Sequence, residues 1–344
     1  MLRLLQSPYG QAPSELIESV LNAHGTSLVI RQQNISRSVT KDQYKLLLLS
    51  LDREQPPDVT PVDASERARR GVEGLRKDVW AALRWGRTNT PVLAERLGQI
   101  KRLKLYRSST ALAEGYLPEA VRLSPRLYVV MGGRAGAATL EGGDIYFDVL
   151  VTSHRAATGT LKYPAPSQIT EYFAHEVHHL GLSKILNRTR DGLRLSRQEE
   201  RAFAFLTALV MEGGASYLVN GHRSLEVLRR DPQFTENLGK GGELLALSGR
   251  VLRSVLENNL DGDAYDKAVA PFLGSGWHSA GAIMFAAIDR AEGLKGVMRV
   301  LRDPRKLLVA YNKATAKLKS GSQRRQFDRD LAEKVSAMGE RARG

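Results

Sequence analysis

Apolar positions recur three and four residues apart along much of this chain, the spacing that lays a single stripe down a helix. Leu16, Ile17, Val20 and Leu21 predict a short helix over 14–23, and Tyr44 to Leu51 predicts another. A longer helical stretch is predicted over 64–104, broken near Gly86 to Pro91. Its stripe is Val72, Leu75, Val79 and Leu83, then Val92, Leu93, Leu97 and Ile100. Ile169, Phe173, Val177 and Leu180 mark a helix that Ser167 can cap and Gly181 stops. Ser196-Arg197-Gln198-Glu199 is a capping box; it opens a helix to about Val219, ended by Asn220-Gly221. Further helices are predicted over 279–292, 294–301, 304–318 and 323–338.

Other segments have a different texture. Leu28-Val29-Ile30 predicts a brief strand, and Gln55-Pro56-Pro57 with Thr60-Pro61 predicts a loop. Residues 127–131 and 144–149 are β-type runs, separated by Gly132-Gly133, Gly136 and Gly142-Gly143. Two such runs around a glycine-rich connection predict a hairpin, or an edge strand with a loop. The glycine spacing matches neither a P-loop nor a dinucleotide fingerprint. The fold class read from this pattern is α+β, predominantly helical, with a small sheet. The expected organisation is an N-terminal, mainly helical region over 1–120, a catalytic domain over 121–318 and a basic helical tail over 319–344.

Composition narrows the chemistry. The 344 residues are 42% hydrophobic and 26% charged, within the soluble globular range. With no cysteine, a metal site must be assembled from His, Asp and Glu. No run approaches a membrane span, so no transmembrane segment is expected. The short apolar start is no signal-peptide core, which makes a cytoplasmic location the default and secretion the alternative if a leader has been removed. Net charge is +14, concentrated in 66–107, with 12 Lys/Arg against 4 Asp/Glu, and in 301–344, with 12 against 5. Two readings stand: solvated basic helix faces, or a patch for nucleic acid, an anionic surface or an acidic partner. Aromatic interleaving is thin and no nucleic-acid-binding motif is present.

Residues 175–179, His-Glu-Val-His-His, contain H-E-x-x-H. On a helix, His175 and His179 lie one turn apart on one face, where two imidazoles can grip one zinc ion. Glu176, beside them, can accept a proton from a zinc-activated water. Four of the seven histidines, 154, 175, 178 and 179, fall within 26 residues. A third ligand follows at Glu212, at the end of the apolar stretch Phe203 to Met211. A carboxylate continuing so apolar a helix is costly unless paired or bound to metal; the alternative is a helix-end Glu facing water. Gly213-Gly214 would let another backbone approach, as the helix of the two histidines must. His178 is read as supporting the ligands or as a surface residue.

His175-Glu176-Val177-His178-His179 followed 33 residues later by Glu212 resembles the gluzincin branch of zincin metalloproteases, the group that includes thermolysin. His-Glu-Val-His-His-Leu-Gly with Glu212-Gly213-Gly214-Ala215-Ser216-Tyr217 is similar, more closely, to a group of uncharacterised bacterial zinc-dependent proteases. The resemblance spans roughly 125–312. It implies a zincin-like core with a two-helix metal site, one Zn2+ per chain, a peptide or protein substrate, and a glycine-containing edge strand in 127–149 that pairs with extended substrate. It also implies a residue that stabilises the oxyanion. His278, ahead of Gly281, is the candidate, where a Tyr is expected in the more similar group; Tyr217 is a weaker one, and an exposed helix-start histidine is the bland alternative. Ser216 stands where gluzincins often carry an acidic residue. Leu182 and Ile185 exclude the metzincin pattern. The function expected is therefore zinc-dependent peptide hydrolysis with Glu176 as general base. Its rival is a basic nucleic-acid or anionic-surface binding protein with a structural or inactive zinc site.

Overall fold

A computed structural model of the chain describes residues 1–7, 14–37, 40–51, 53–58, 69, 72–140, 143–230, 232–260, 262–273, 275–318 and 326–340. Thr60-Pro61, most of the predicted helix before Val72, Gly142, Gly274 and much of the basic tail lie outside the described residues. The molecule is predominantly helical with a small three-strand sheet, an α+β composition.

One compact unit, Met1–Ser108 with Ser124–Glu176, holds the sheet. Its helices include α1 (Ser14–Asn22), α2 (His24–Arg37) and α3 (Lys41–Leu49). A π-helical turn, Leu75–Trp80, runs into α4 (Ala81–Thr88), followed by α5 (Thr90–Lys101). The strand expected at Leu28-Val29-Ile30 is instead the middle of α2. A three-residue apolar run has no period of its own, and Leu28 and Val29 simply join the core on a helical face. The break expected near Gly86 to Pro91 falls at Asn89. A Cβ at Gly86 would lie 2.7 Å from Leu150 Cδ1, so the glycine serves close packing.

The sheet departs from the expected hairpin. Strand β1 (Arg126–Leu140) turns back on itself, and β2 (Asp144–Asp148) lies between its two arms. Arg126–Val130 pairs with β2 in parallel; Gly136–Leu140 pairs with it antiparallel. Part of the glycine-rich connection is thus a third strand, and the fully buried β2 is central. The reversal is made at Gly132, whose φ of 99° favours glycine and where a Cβ would sit 2.1 Å from Tyr44 Oη. Tyr44 donates to the Gly132 carbonyl at 3.1 Å. Asp148 accepts from the Gly133 N–H and, as N-cap of α6 (Val149–Ala157), from the Val151 N–H at 2.7 Å. Burial nevertheless pushes the Asp148 carboxyl up to about 7, against the pull of these backbone donors.

The second unit is Ser109–Leu123 with Val177–Gly344. Helix α7 spans Pro166–Asp191. Gly181, the expected stop, lies in its interior. A Cβ there would fall 2.4 Å from Leu117 Cδ1, so the glycine admits a neighbour instead of ending the helix. Helix α8 (Arg197–Ala215) starts on the predicted capping box, Ser196 and Glu199 each bonding the other's N–H, and ends through a π-helical turn, Ser216–Asn220. Arg197–Asn220 is apolar and long enough to cross a membrane, but 72% of its most apolar window is buried in the protein, as in a core helix.

Helix α9 is Gly241–Leu256; α10 (Gly276–Arg302) bends at Gly293, φ 67°; α11 (Leu307–Lys317) and α12 (Arg329–Ser336) follow. Helices α8 and α10 cross in backbone contact. A Cβ on Gly213 would lie 2.3 Å from Gly281 Cα, and one on Gly281 would lie 2.2 Å from the Leu209 carbonyl oxygen. The expectation that Gly213 admits the helix of the two histidines is corrected here: the approaching backbone is that of α10.

Candidate metal centre

His175 and His179 stand one turn apart on α7, both nearly buried at 8% exposure. Ile169, Phe173 and Val177 of the expected stripe are buried along that helix. Glu212 lies in the last turn of α8, where its carboxylate Oε2 is 3.2 Å from His179 Nε2. The ligand atoms of His175, His179 and Glu212 all lie within 4.8 Å of one another. Ligands held about 2.1 Å from a tetrahedral ion stand about 3.4 Å apart, so the His179–Glu212 spacing already suits one. Two imidazole nitrogens and one carboxylate oxygen, with the nitrogens withdrawn from bulk water, are a donor set that fits zinc and leaves a coordination position for water or substrate.

Glu176 occupies the next position on α7, half-buried, and its Oε2 accepts a hydrogen bond from Thr139 Oγ1 at 2.6 Å. Thr139 belongs to the antiparallel arm of β1, paired with Ile145 of the buried β2. Sequence reasoning passed over it. Nothing in Ala137-Ala138-Thr139 distinguishes one hydroxyl until the strand is folded against its helix.

His278, in the first turn of α10, is 24% exposed, and its Nδ1 is 3.2 Å from Glu212 Oε2 and 3.0 Å from Ser216 Oγ. The Gly213–Gly281 crossing sets this proximity, because His278 lies one turn before Gly281 and Glu212 lies beside Gly213. Ser216, standing where an acidic residue was expected, thus meets His278. Phe234 packs edge-on to the His278 ring, centroids 5.8 Å apart. His178 is fully buried, which removes the surface reading; its Nε2 is 3.3 Å from the Tyr116 carbonyl oxygen. Tyr217 donates to Asp289 at 2.9 Å, and Arg223 grips the same carboxylate at 2.8 and 2.9 Å.

Among the described residues, several side chains of the basic segments are engaged within their own units. Arg84 and Arg87 donate to the carbonyls of Glu54 and Ser7 at 2.7 and 2.9 Å, and Lys77 pairs with Glu73. Arg305, nearly buried, bonds Asp303 and the Met338 carbonyl, and Lys313 pairs with Glu292. A nucleic-acid partner is unsupported.

The sequence profile of a family described as "Putative zinc dependent peptidase (DUF5700)" matches residues 17–320. No curated protein and no solved structure matches the chain significantly.

Proposed function

We propose, from the premise that this chain belongs to the family of putative zinc dependent peptidases, that it hydrolyses peptide bonds with zinc held by His175, His179 and Glu212 and with Glu176 as general base. Zinc is the cofactor that the family description names and that the His/His/Glu cluster suits. The observation that carries the reading is that cluster: three donors from two helices in one place, with a carboxylate on the adjoining residue. Bound there, zinc supplies Lewis acidity toward a carbonyl and makes water a nucleophile near neutral pH.

The chain's own residues do the rest. Glu176 takes the proton of the attacking water and passes it to the leaving amine. The outer edge of the Gly136–Leu140 arm, paired with β2 on its other side, receives an extended peptide by strand addition, beside the helix that carries the base. His278, whose Nδ1 is occupied near Ser216 and Glu212, offers its other ring nitrogen to the developing oxyanion. We assign the catalytic part to residues 121–318 and read its core as zincin-like, of the gluzincin type in which a later helix supplies the third, carboxylate ligand.

The test pairs metal content with activity. Elemental mass spectrometry of the purified chain is expected to find one zinc, retained in Glu176→Gln, while hydrolysis of a random-sequence peptide mixture falls by about a hundredfold or more. Undiminished cleavage in Glu176→Gln overturns the assignment of the base. No zinc, and none taken up on titration, overturns the site.

A further inference from the structure

We infer that Thr139 is a positioning residue for Glu176: its hydroxyl holds one carboxylate oxygen so that the other faces the water to be deprotonated. The inference rests on the reading of Glu176 as general base. A glutamate has three side-chain torsions, and a half-buried one is not held by packing alone. Here Oε2 accepts the Thr139 hydroxyl at 2.6 Å, the short distance typical of hydroxyl-to-carboxylate bonds. The donor is itself anchored. Thr139 pairs with Ile145, and β2 is buried along its whole length and held on both edges. Within Ala135-Gly136-Ala137-Ala138-Thr139-Leu140, Thr139 is the one residue with a polar side chain, and it meets Glu176.

The bond therefore ties a helix residue to the strand arm assigned to substrate pairing. A peptide seated on that arm and the carboxylate that serves it share one rigid reference. Misplacing a catalytic group by about 1 Å costs on the order of a hundredfold in rate, which sets the scale of the effect. Valine at this position would keep the β-branched shape and the strand preference and remove only the donor.

Three variants of the full chain decide the matter: Thr139→Val, Thr139→Ser and Glu176→Gln as reference. All three are expected to retain the parent's zinc. Cleavage of a random-sequence peptide mixture is expected to fall about ten- to a hundredfold in Thr139→Val and to recover in Thr139→Ser, a rescue that a purely structural threonine would not produce. Crystal structures of the metal-free chains give an answer independent of activity. Glu176 is expected in one rotamer in the parent and in Thr139→Ser, and spread over several in Thr139→Val. One ordered Glu176 rotamer in every variant overturns the inference. So does parent-like cleavage by Thr139→Val beside an inactive Glu176→Gln, which leaves the peptidase reading standing. Full activity in Glu176→Gln removes the base assignment and this inference together.

Discussion

Glu212 and Asp289 are carboxylates on crossing helices of one unit, each met by nitrogen donors, and their surroundings differ in kind. Asp289 is 6% exposed, with Arg223 on both oxygens and the Tyr217 hydroxyl on one of them. Burial and this carboxylate push the Tyr217 hydroxyl well above its usual range. To bring the guanidinium there, the chain adopts left-handed backbone at His222 and Arg223, φ 46° and 65°, a strain of about 1–3 kcal/mol each for non-glycine residues. Glu212 is 31% exposed and meets imidazoles instead. A guanidinium cancels a buried charge permanently and makes a strut. Imidazoles can be neutral, so a carboxylate among them can still attract a cation.

That contrast can be broken experimentally, and the largest effect is expected at Glu212. Glu212→Ala should take bound zinc from one per chain to none, with loss of hydrolysis, while the metal-free fold stays close to the parent in stability. Zinc retained in that variant, measured by elemental mass spectrometry, would make Glu212 a second strut. Asp289→Ala should do the reverse. It leaves the buried Tyr217 hydroxyl and the part-exposed Arg223 without their acceptor at a costly turn, so denaturant titration should lose about 1–3 kcal/mol while the folded fraction keeps its zinc. Normal stability with lost metal would invert the comparison.

Between the two carboxylates lies the helix crossing that positions one of them. Gly213→Ala puts a methyl group into the backbone of Gly281, which cannot yield as a side chain would. A loss of about 1–3 kcal/mol and a weaker zinc affinity are expected together, read by melting and by competition with a chelator. Loss of stability with unchanged affinity would separate the crossing from the site.

A further effect is read against pH and concerns Asp148, buried like Asp289 but with no cation on its carboxylate among the described residues. In the folded chain its carboxyl keeps a proton up to about 7, whereas unfolded it ionises near 4. Between those values the folded state binds a proton that the unfolded state has released. Stability therefore declines as pH rises from about 4 to about 7 and levels off above. In Asp148→Asn this part of the decline should vanish, seen as a flatter melting temperature against pH. Parallel profiles for parent and variant would refute the raised value.

Much of the helical half was legible in the chain because its cues are local. The Ser196–Glu199 capping box and the stripe Ile169, Phe173, Val177 need only neighbours three or four residues away. The errors have one physical source. Leu28-Val29-Ile30 is too short to carry a period, Gly181 reads as a stop, and the run after Gly132 reads as a loop. At both glycines the cue concerned space, and the space was filled by residues distant in sequence: Leu117 and Tyr44.

The same division runs through the candidate site. His175, Glu176 and His179 share one helix, so spacing alone puts both imidazoles on one face with the carboxylate beside them. Glu212 could be nominated from the cost of a charge in an apolar helix, but not brought to His179. Its approach depends on how two helices pack, and the place of His278 depends on a crossing that only paired glycines allow. Thr139 carried no signal at all, because a hydroxyl acquires meaning from what it faces. The sequence by itself determined which side chains share a helical face, since the 3.6-residue repeat is built into the backbone. Which faces meet was decided only by tertiary packing, where burial, volume and close contact act between residues that the chain keeps far apart.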